Sequence, residues 1–246
     1  MRFRDIIGQR PLIERLIASA QAGRIAHAQL FSGPEGNQKL PLALAYAQFL
    51  NCRHKVTSAE ADLGGLPADS CGKCPSCVKF ERLAHPDLHF FFPNNIGELV
   101  KKDAQSTDYL PLWREFGLKH RMEFSLNDWI DAMNIGQRQA IINIRDCHTL
   151  IEQLSLKSCE ADYRVVVLWM AEKISDTISS TLLKTLEEPE PQTLFLLVSE
   201  NPDQISATIL SRTQIVQVPA LTTEDLGAGL VTHYGLTPEA AQPLAE

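Results

Sequence analysis

The sequence predicts an α/β fold, a doubly wound parallel sheet with helices on both faces. Three observations point there. The runs Arg164-Val165-Val166-Val167-Leu168-Trp169 and Thr193 to Ser199 are apolar without alternation, so each strand must be covered on both sides. Ala28 to Leu40 reads as a short buried strand, a glycine turn and a helix start, a form in which backbone N–H groups and the helix dipole converge on a phosphate. Along the rest of the chain, strand patterns alternate with helical ones.

Ile6, Ile7, Leu12, Ile13, Leu16 and Ile17 recur at helical spacing and predict a helix from Asp5 to a stop at Gly23. The glycine-turn unit follows, its helix carrying Leu42, Leu44, Ala45 and Phe49 to about Cys52. A polar stretch then holds Cys71, Cys74 and Cys77, with a short helix from Val78 to Leu83 before Pro86. Asp87 to Pro93 is a second buried strand, and its consecutive Phe90, Phe91 and Phe92 are core rather than a base-stacking platform. Asn94 to about Ile135 is irregular, with helical hints at Leu110–Phe116 and Ser125–Met133, and reads as an inserted, mobile surface loop.

Ile141 to Leu154 predicts an amphipathic helix with Ile141, Ile144, Leu150, Ile151 and Leu154 on one side. After the strand at Arg164, Ile174 to Leu186 is helical and stops at Glu187-Glu188-Pro189. Thr193 to Ser199, a short helix from Ile205 to Leu210, and a strand from Gln214 to Val218 complete the sheet. Beyond Pro219 the pattern turns helical. Thr222-Thr223-Glu224 supplies an N-cap, and Thr237-Pro238-Glu239 opens a helix with proline at its first position. We therefore expect residues 1–219 to form the α/β domain and 220–246 to begin a small helical domain. That domain breaks off at Glu246, so a longer protein is expected.

The chain of 246 residues has room for a sizeable core, and its net charge of −7 gives it no basic field for nucleic acid. The start lacks the apolar run of a signal peptide and no stretch is long enough to span a bilayer, which predicts a cytoplasmic protein.

The cradle departs from the full P-loop pattern. Gly33, Gly36 and Lys39 suit phosphate, but Gln38 stands where the second glycine of the motif belongs and Leu40 replaces the Mg²⁺-binding hydroxyl. The tip of the strand at 164–168, where a nucleotide hydrolase places its metal-binding carboxylates, holds Trp169 and Met170, and Glu172 opens the next helix. Both losses fall on the same metal, so hydrolysis by this chain is not expected. Lys39 could still grip a phosphate as a point charge, which leaves weak nucleotide binding open. An ordinary strand–turn–helix with a surface lysine is the plainer alternative.

Of six cysteines, Cys71, Cys74 and Cys77 form two overlapping Cys-x-x-Cys pairs in seven residues. In a reducing compartment that spacing suits a closed tetrahedral Zn²⁺ site better than disulfides. Cys52, His54 and His85 compete for the fourth position. No open coordination position or nearby base is apparent, so the role is structural. Cys147 and Cys159 are expected to be buried thiols, and His27 a packed polar residue.

Ser32-Gly33-Pro34-Glu35-Gly36, Thr181-Leu182-Leu183-Lys184-Thr185-Leu186-Glu187-Glu188-Pro189 and Ile209-Leu210-Ser211-Arg212 together resemble the clamp-loader AAA+ ATPases. The likeness runs from Phe3 to about Leu230, apart from the insertion. It implies an AAA+ P-loop-type sheet with an inserted zinc module at about 52–77, an insertion at about 94–135 and a helical lid. It implies Cys52 as the fourth zinc ligand. Those subunits carry Ser-Arg-Cys where this chain has Ser211-Arg212-Thr213, and it implies that Arg212 reaches across a subunit boundary to a neighbour's ATP. An ordinary salt-bridged surface arginine is the bland alternative. Ser199 and Asn201 sit where that family senses the γ-phosphate. The implied partners are the other loader subunits and, through the assembled complex, a sliding clamp and primed DNA. Two other functions remain to be weighed: an active ATPase with atypical metal ligands, and a zinc-dependent nucleic-acid-binding module.

Overall fold

The computed structural model describes residues 1–175 and 179–245, with residues 179–181 described by backbone alone. Its main sheet is built on β1 (Ala28–Ser32) and is joined by a small hairpin of β2 (Val56–Thr57) and β3 (Ala68–Asp69). β4 (Leu88–Phe91), β5 (Arg164–Trp169), β6 (Thr193–Ser199) and β7 (Gln214–Gln217) complete the main sheet in the order β4-β5-β6-β1-β7. Every pairing in that sheet is parallel, with Leu30 opposite Leu197 on one side and Ile215 on the other. The unalternating strands explain the layering. Val165, Val167, Trp169, Leu194, Leu196 and Val198 enter one core, and Val166, Leu168, Phe195 and Leu197 enter the other.

On the first face lie α1 (Arg10–Gln21) and α2 (Lys39–Leu50). Every residue of α2 is buried, the mark of a helix enclosed on all sides. α1 begins later than its apolar spacing predicts. Gly8 (φ 63°) and Gln9 (φ 60°) turn left-handed and break the pattern, leaving Phe3–Asp5 as a separate 3-10 turn. Asp69 holds that turn by accepting from Phe3 N at 3.1 Å and from Arg4 N and Nε at 3.2 and 3.0 Å.

α3 (Pro75–Glu81) starts on the cysteine cluster, and α4 (Leu110–Lys119) and α5 (Leu126–Met133) follow β4. The segment 94–135 is therefore packed structure and not the surface loop expected from its irregular pattern. Trp113, Trp129 and Tyr109 are fully buried in the first core. Phe92 stacks on Trp113 with ring centroids 4.2 Å apart, and Trp129 meets both edge-on at 5.1 Å.

The second face is covered by α6 (Ile144–Ser155), α7 (Ser179–Glu187) and α8 (Ala207–Leu210). α6 buries a different stripe from the predicted one. Asp146, Cys147, Leu150 and Leu154 face inward, Ile144 and Ile151 are exposed, and Ile141 pairs with Asn94 ahead of the helix. Asp146 sets this rotation by accepting from Ser106 N at 2.6 Å, Asn94 Nδ2 at 2.9 Å and Asn143 N at 3.0 Å. The helix expected from Ile174 includes residues 176–178, which lie outside the described residues, as does Glu246. α9 (Thr223–Tyr234), capped by the Thr222 hydroxyl, and α10 (Pro238–Ala245) form the C-terminal helical pair. Arg121 Nη2 donates to His233 Nδ1 of α9 at 3.0 Å. No helix among the described residues is long and apolar enough to cross a membrane.

Buried Asp87 accepts three backbone N–H bonds, from Cys159 (2.7 Å), Glu160 (2.9 Å) and Ala161 (2.9 Å). Burial alone would raise its carboxyl, but those N–H bonds outweigh it and leave the pKa below the ordinary value. A depressed folded pKa contributes stability above the unfolded pKa and loses it as pH falls. Asp87→Ala should cost about 1–3 kcal/mol at neutral pH. The gap from wild type should narrow below about pH 4, as read by urea unfolding at each pH.

Candidate functional site

The cradle forms where β1 runs into α2. A Cβ at Gly33 would lie 2.0 Å from Val218 O and 2.2 Å from Asn37 Nδ2, so only glycine fits there. Gly36 turns at φ 75°. Gln38 adopts φ 65°, the left-handed conformation that glycine takes without strain, and holds it with two side-chain bonds. Its Oε1 accepts from Ile7 N at 2.7 Å, and its Nε2 donates to Glu123 at 2.6 Å. Asn37 reaches Val218 O at 2.6 Å and accepts from Lys39 N at 3.3 Å. Lys39 Nζ donates to Pro34 O at 2.9 Å and lies 3.3 Å from Glu200 Oε1. Lys39 thus has both its backbone N–H and its ammonium engaged within the chain.

The charge around the cradle also opposes an anion. A cleft of about 320 Å³ beside Lys39 is lined by Glu35, Glu123, Asp128 and Glu200. Burial pushes the Lys39 ammonium below its usual pKa and Glu200 opposes that only in part. Burial likewise raises Glu200 and Glu123. A carboxylate about 5 Å from a phosphoryl oxygen repels it by roughly 3 kcal/mol at an effective dielectric near 20. One lysine faces four carboxylates. Leu40 is buried where a metal-binding hydroxyl would stand. Trp169 lies buried between Trp113 and Phe124, with centroids 5.2 Å from each. Glu172 accepts from Glu200 N at 3.1 Å. Ser199 is fully buried and accepts from Asn201 N at 3.1 Å, and His27 Nε2 lies 2.9 Å from Leu186 O.

A second constellation lies where α2 ends and α3 begins. The sulfurs of Cys52, Cys71, Cys74 and Cys77 all lie within 4.8 Å of one another, and Cys71 Sγ is 3.9 Å from Cys77 Sγ. Four thiolates at about 2.3 Å from a tetrahedral ion would have sulfurs about 3.8 Å apart, so the quartet can hold a metal ion. Backbone N–H groups point at the sulfurs, Cys71 N to Cys52 Sγ at 3.3 Å and Cys74 N to Cys71 Sγ at 3.3 Å. A hydrogen bond from Cys77 holds the Cys52 thiol down to about 5, and the same bond raises Cys77. His54 and His85 stand outside the group. Buried His85 accepts from Asp87 N at 3.1 Å and stacks on Phe80. Cys147 is buried as expected, whereas Cys159 is exposed because the loop carrying it lies over Asp87 through its backbone.

Arg212 follows α8. Its Nη1 donates to Thr208 O at 2.8 Å and to Ser211 Oγ at 3.2 Å, and its Nη2 pairs with Glu187 at the end of α7. The Arg212 side chain is about one third exposed.

A family model described as DNA polymerase III, delta subunit, matches residues 8–222. The chain belongs to the DNA polymerase III delta subunit family. This delta-family chain is 26% identical to DNA polymerase III subunit delta' of Bacillus subtilis, covering 95% of this chain and 54% of that one. It is 27% identical to subunit tau/gamma of Haemophilus influenzae (85% and 22% coverage) and 26% identical to subunit tau of Escherichia coli (99% and 30%). It thus spans between about a fifth and just over half the length of these relatives. A solved Thermotoga maritima RuvB structure overlays 97% of this chain and 56% of that chain, with a TM-score of 0.49 at 11% identity.

Glu123, Glu200 and Asn37 shape the cradle in the delta-family chain without having been singled out in the sequence, and the run that includes Glu187 gave no sign that this residue meets Arg212. Glu200 had a signal, its place beside Ser199 at a strand end. Glu123 had none, because only the fold carries it 85 residues back to Gln38.

Proposed function

We propose that this chain is a non-hydrolysing clamp-loader subunit resembling delta-prime, a fixed arm that donates Arg212 in trans to the ATP of a neighbouring tau/gamma motor subunit. The delta subunit would complete the ring, which opens a sliding clamp and places it on primed DNA in the cytoplasm. The chain would act as a component of DNA polymerase III, itself a nucleotidyltransferase, without turning over ATP. The observation that carries this reading is the altered cradle: Gln38 bonded to Glu123, Lys39 paired with Glu200, and Leu40 and Trp169 at the positions where the motif carries its hydroxyl and carboxylate. Arg212, partly exposed beyond α8, supports the other half.

The cysteine quartet fits a structural Zn²⁺ held by Cys52, Cys71, Cys74 and Cys77, which would tie α2 to α3. Gly33, Gly36 and Lys39 would be remnants of a nucleotide site. We divide the chain at Pro219 into an AAA+ domain carrying the zinc module and the 94–135 segment, followed by a helical lid. The purified protein should turn over no ATP alone and should raise turnover when added to a motor subunit. Hydrolysis by the chain alone, abolished by Lys39→Ala, would instead favour an active ATPase.

A further inference from the structure

We propose that Glu187 is the positioning residue for Arg212, presenting its guanidinium to the phosphates of the neighbouring nucleotide. This rests on Arg212 acting in trans. An arginine on a surface explores many rotamers, and fixing it at the moment of phosphate contact costs conformational entropy. Here three acceptors hold it beforehand. Thr208 O and Ser211 Oγ take Nη1, and the Glu187 carboxylate takes Nη2. The first two belong to the arginine's own turn, so they fix only how close the side chain lies to α8.

Glu187 comes from a different element. It ends α7, whose Leu182 and Leu186 are buried in the core beneath the sheet, so the carboxylate is carried on a rigid support. Its pairing therefore fixes the direction of the guanidinium relative to the sheet. The carboxylate is about half exposed and competes weakly with a polyanion, so the arginine can keep this contact or trade it for phosphate at small cost. The sequence places both partners in the segments that resemble a clamp loader, Glu187 near the end of one and Arg212 at the end of the other, without showing that they meet.

The test uses the assembled complex containing the whole protein, with ATP turnover measured for Glu187→Ala, Glu187→Gln and Arg212→Ala. Glu187→Ala should lower kcat by about two- to fivefold, the factor a half-exposed ion pair supplies, with KM for ATP unchanged. Glu187→Gln keeps an acceptor for Nη2 and should recover most of that loss. The melting temperature of the isolated protein should not move. An unchanged or increased kcat in Glu187→Ala, while Arg212→Ala is defective, would overturn the positioning role. So would a fall in kcat that tracks a lower melting temperature or a raised KM. If Arg212→Ala itself leaves turnover unchanged, the trans-acting arginine fails first, and the role of Glu187 fails with it.

Discussion

Arg212→Ala should lower ATP turnover by the assembled complex at the neighbouring site by about a thousandfold or more, the scale of an arginine supplied in trans. The guanidinium spreads its charge over a planar fork that matches two phosphoryl oxygens at once. Arg212→Lys should recover little of the loss, because an ammonium is a point charge without that fork. The isolated chain should unfold as before, since the pair with Glu187 is partly exposed and worth at most about 1 kcal/mol. Turnover measured per assembled complex, beside urea unfolding of the variant alone, separates the two effects. Wild-type turnover in Arg212→Ala would return that residue to an ordinary surface arginine.

The second large effect concerns the cysteine quartet. The purified protein should contain one zinc per chain, and Cys77→Ala or prolonged chelation should lower its melting temperature by about 10 °C or more. Apparent zinc-binding energies in small Cys sites reach about 10–16 kcal/mol. Even a third of that would shift a protein of this size by such an amount. Cys52, Cys74 and Cys77 are buried together, so a metal held there would join the end of α2 to the start of α3 from within the core. The metal should be structural, with turnover by an assembled complex changing only as folded protein is lost. Full stability after removal of the metal would show that the quartet is a packed cluster of thiols.

The sheet was legible because parallel strands carry apolar residues on both faces, and β5 and β6 show that as unbroken runs. The cysteine cluster was legible for a similarly local reason, three cysteines in seven residues, whereas spacing alone left Cys52, His54 and His85 equal for the fourth place. What escaped depends on contacts distant in sequence. The segment 94–135 is ordered by Trp113 against Phe90 and Trp169, partners on two different strands. The inward face of α6 was misassigned because apolar spacing favoured Ile144 and Ile151. Asp146, a polar residue with three distant partners, turned the helix instead. At the cradle, Gln38 and Leu40 could be read in the sequence as departures from the P-loop pattern. They could not show that Glu123 would bond Gln38 or that Glu200 would pair with Lys39.

A subunit that serves its neighbour's nucleotide should hold none tightly itself. Calorimetric titration of the purified protein with Mg–ATP reads this directly. The expected result is no tight, stoichiometric binding and no difference between wild type and Lys39→Ala. Stoichiometric binding that disappears in Lys39→Ala would contradict it.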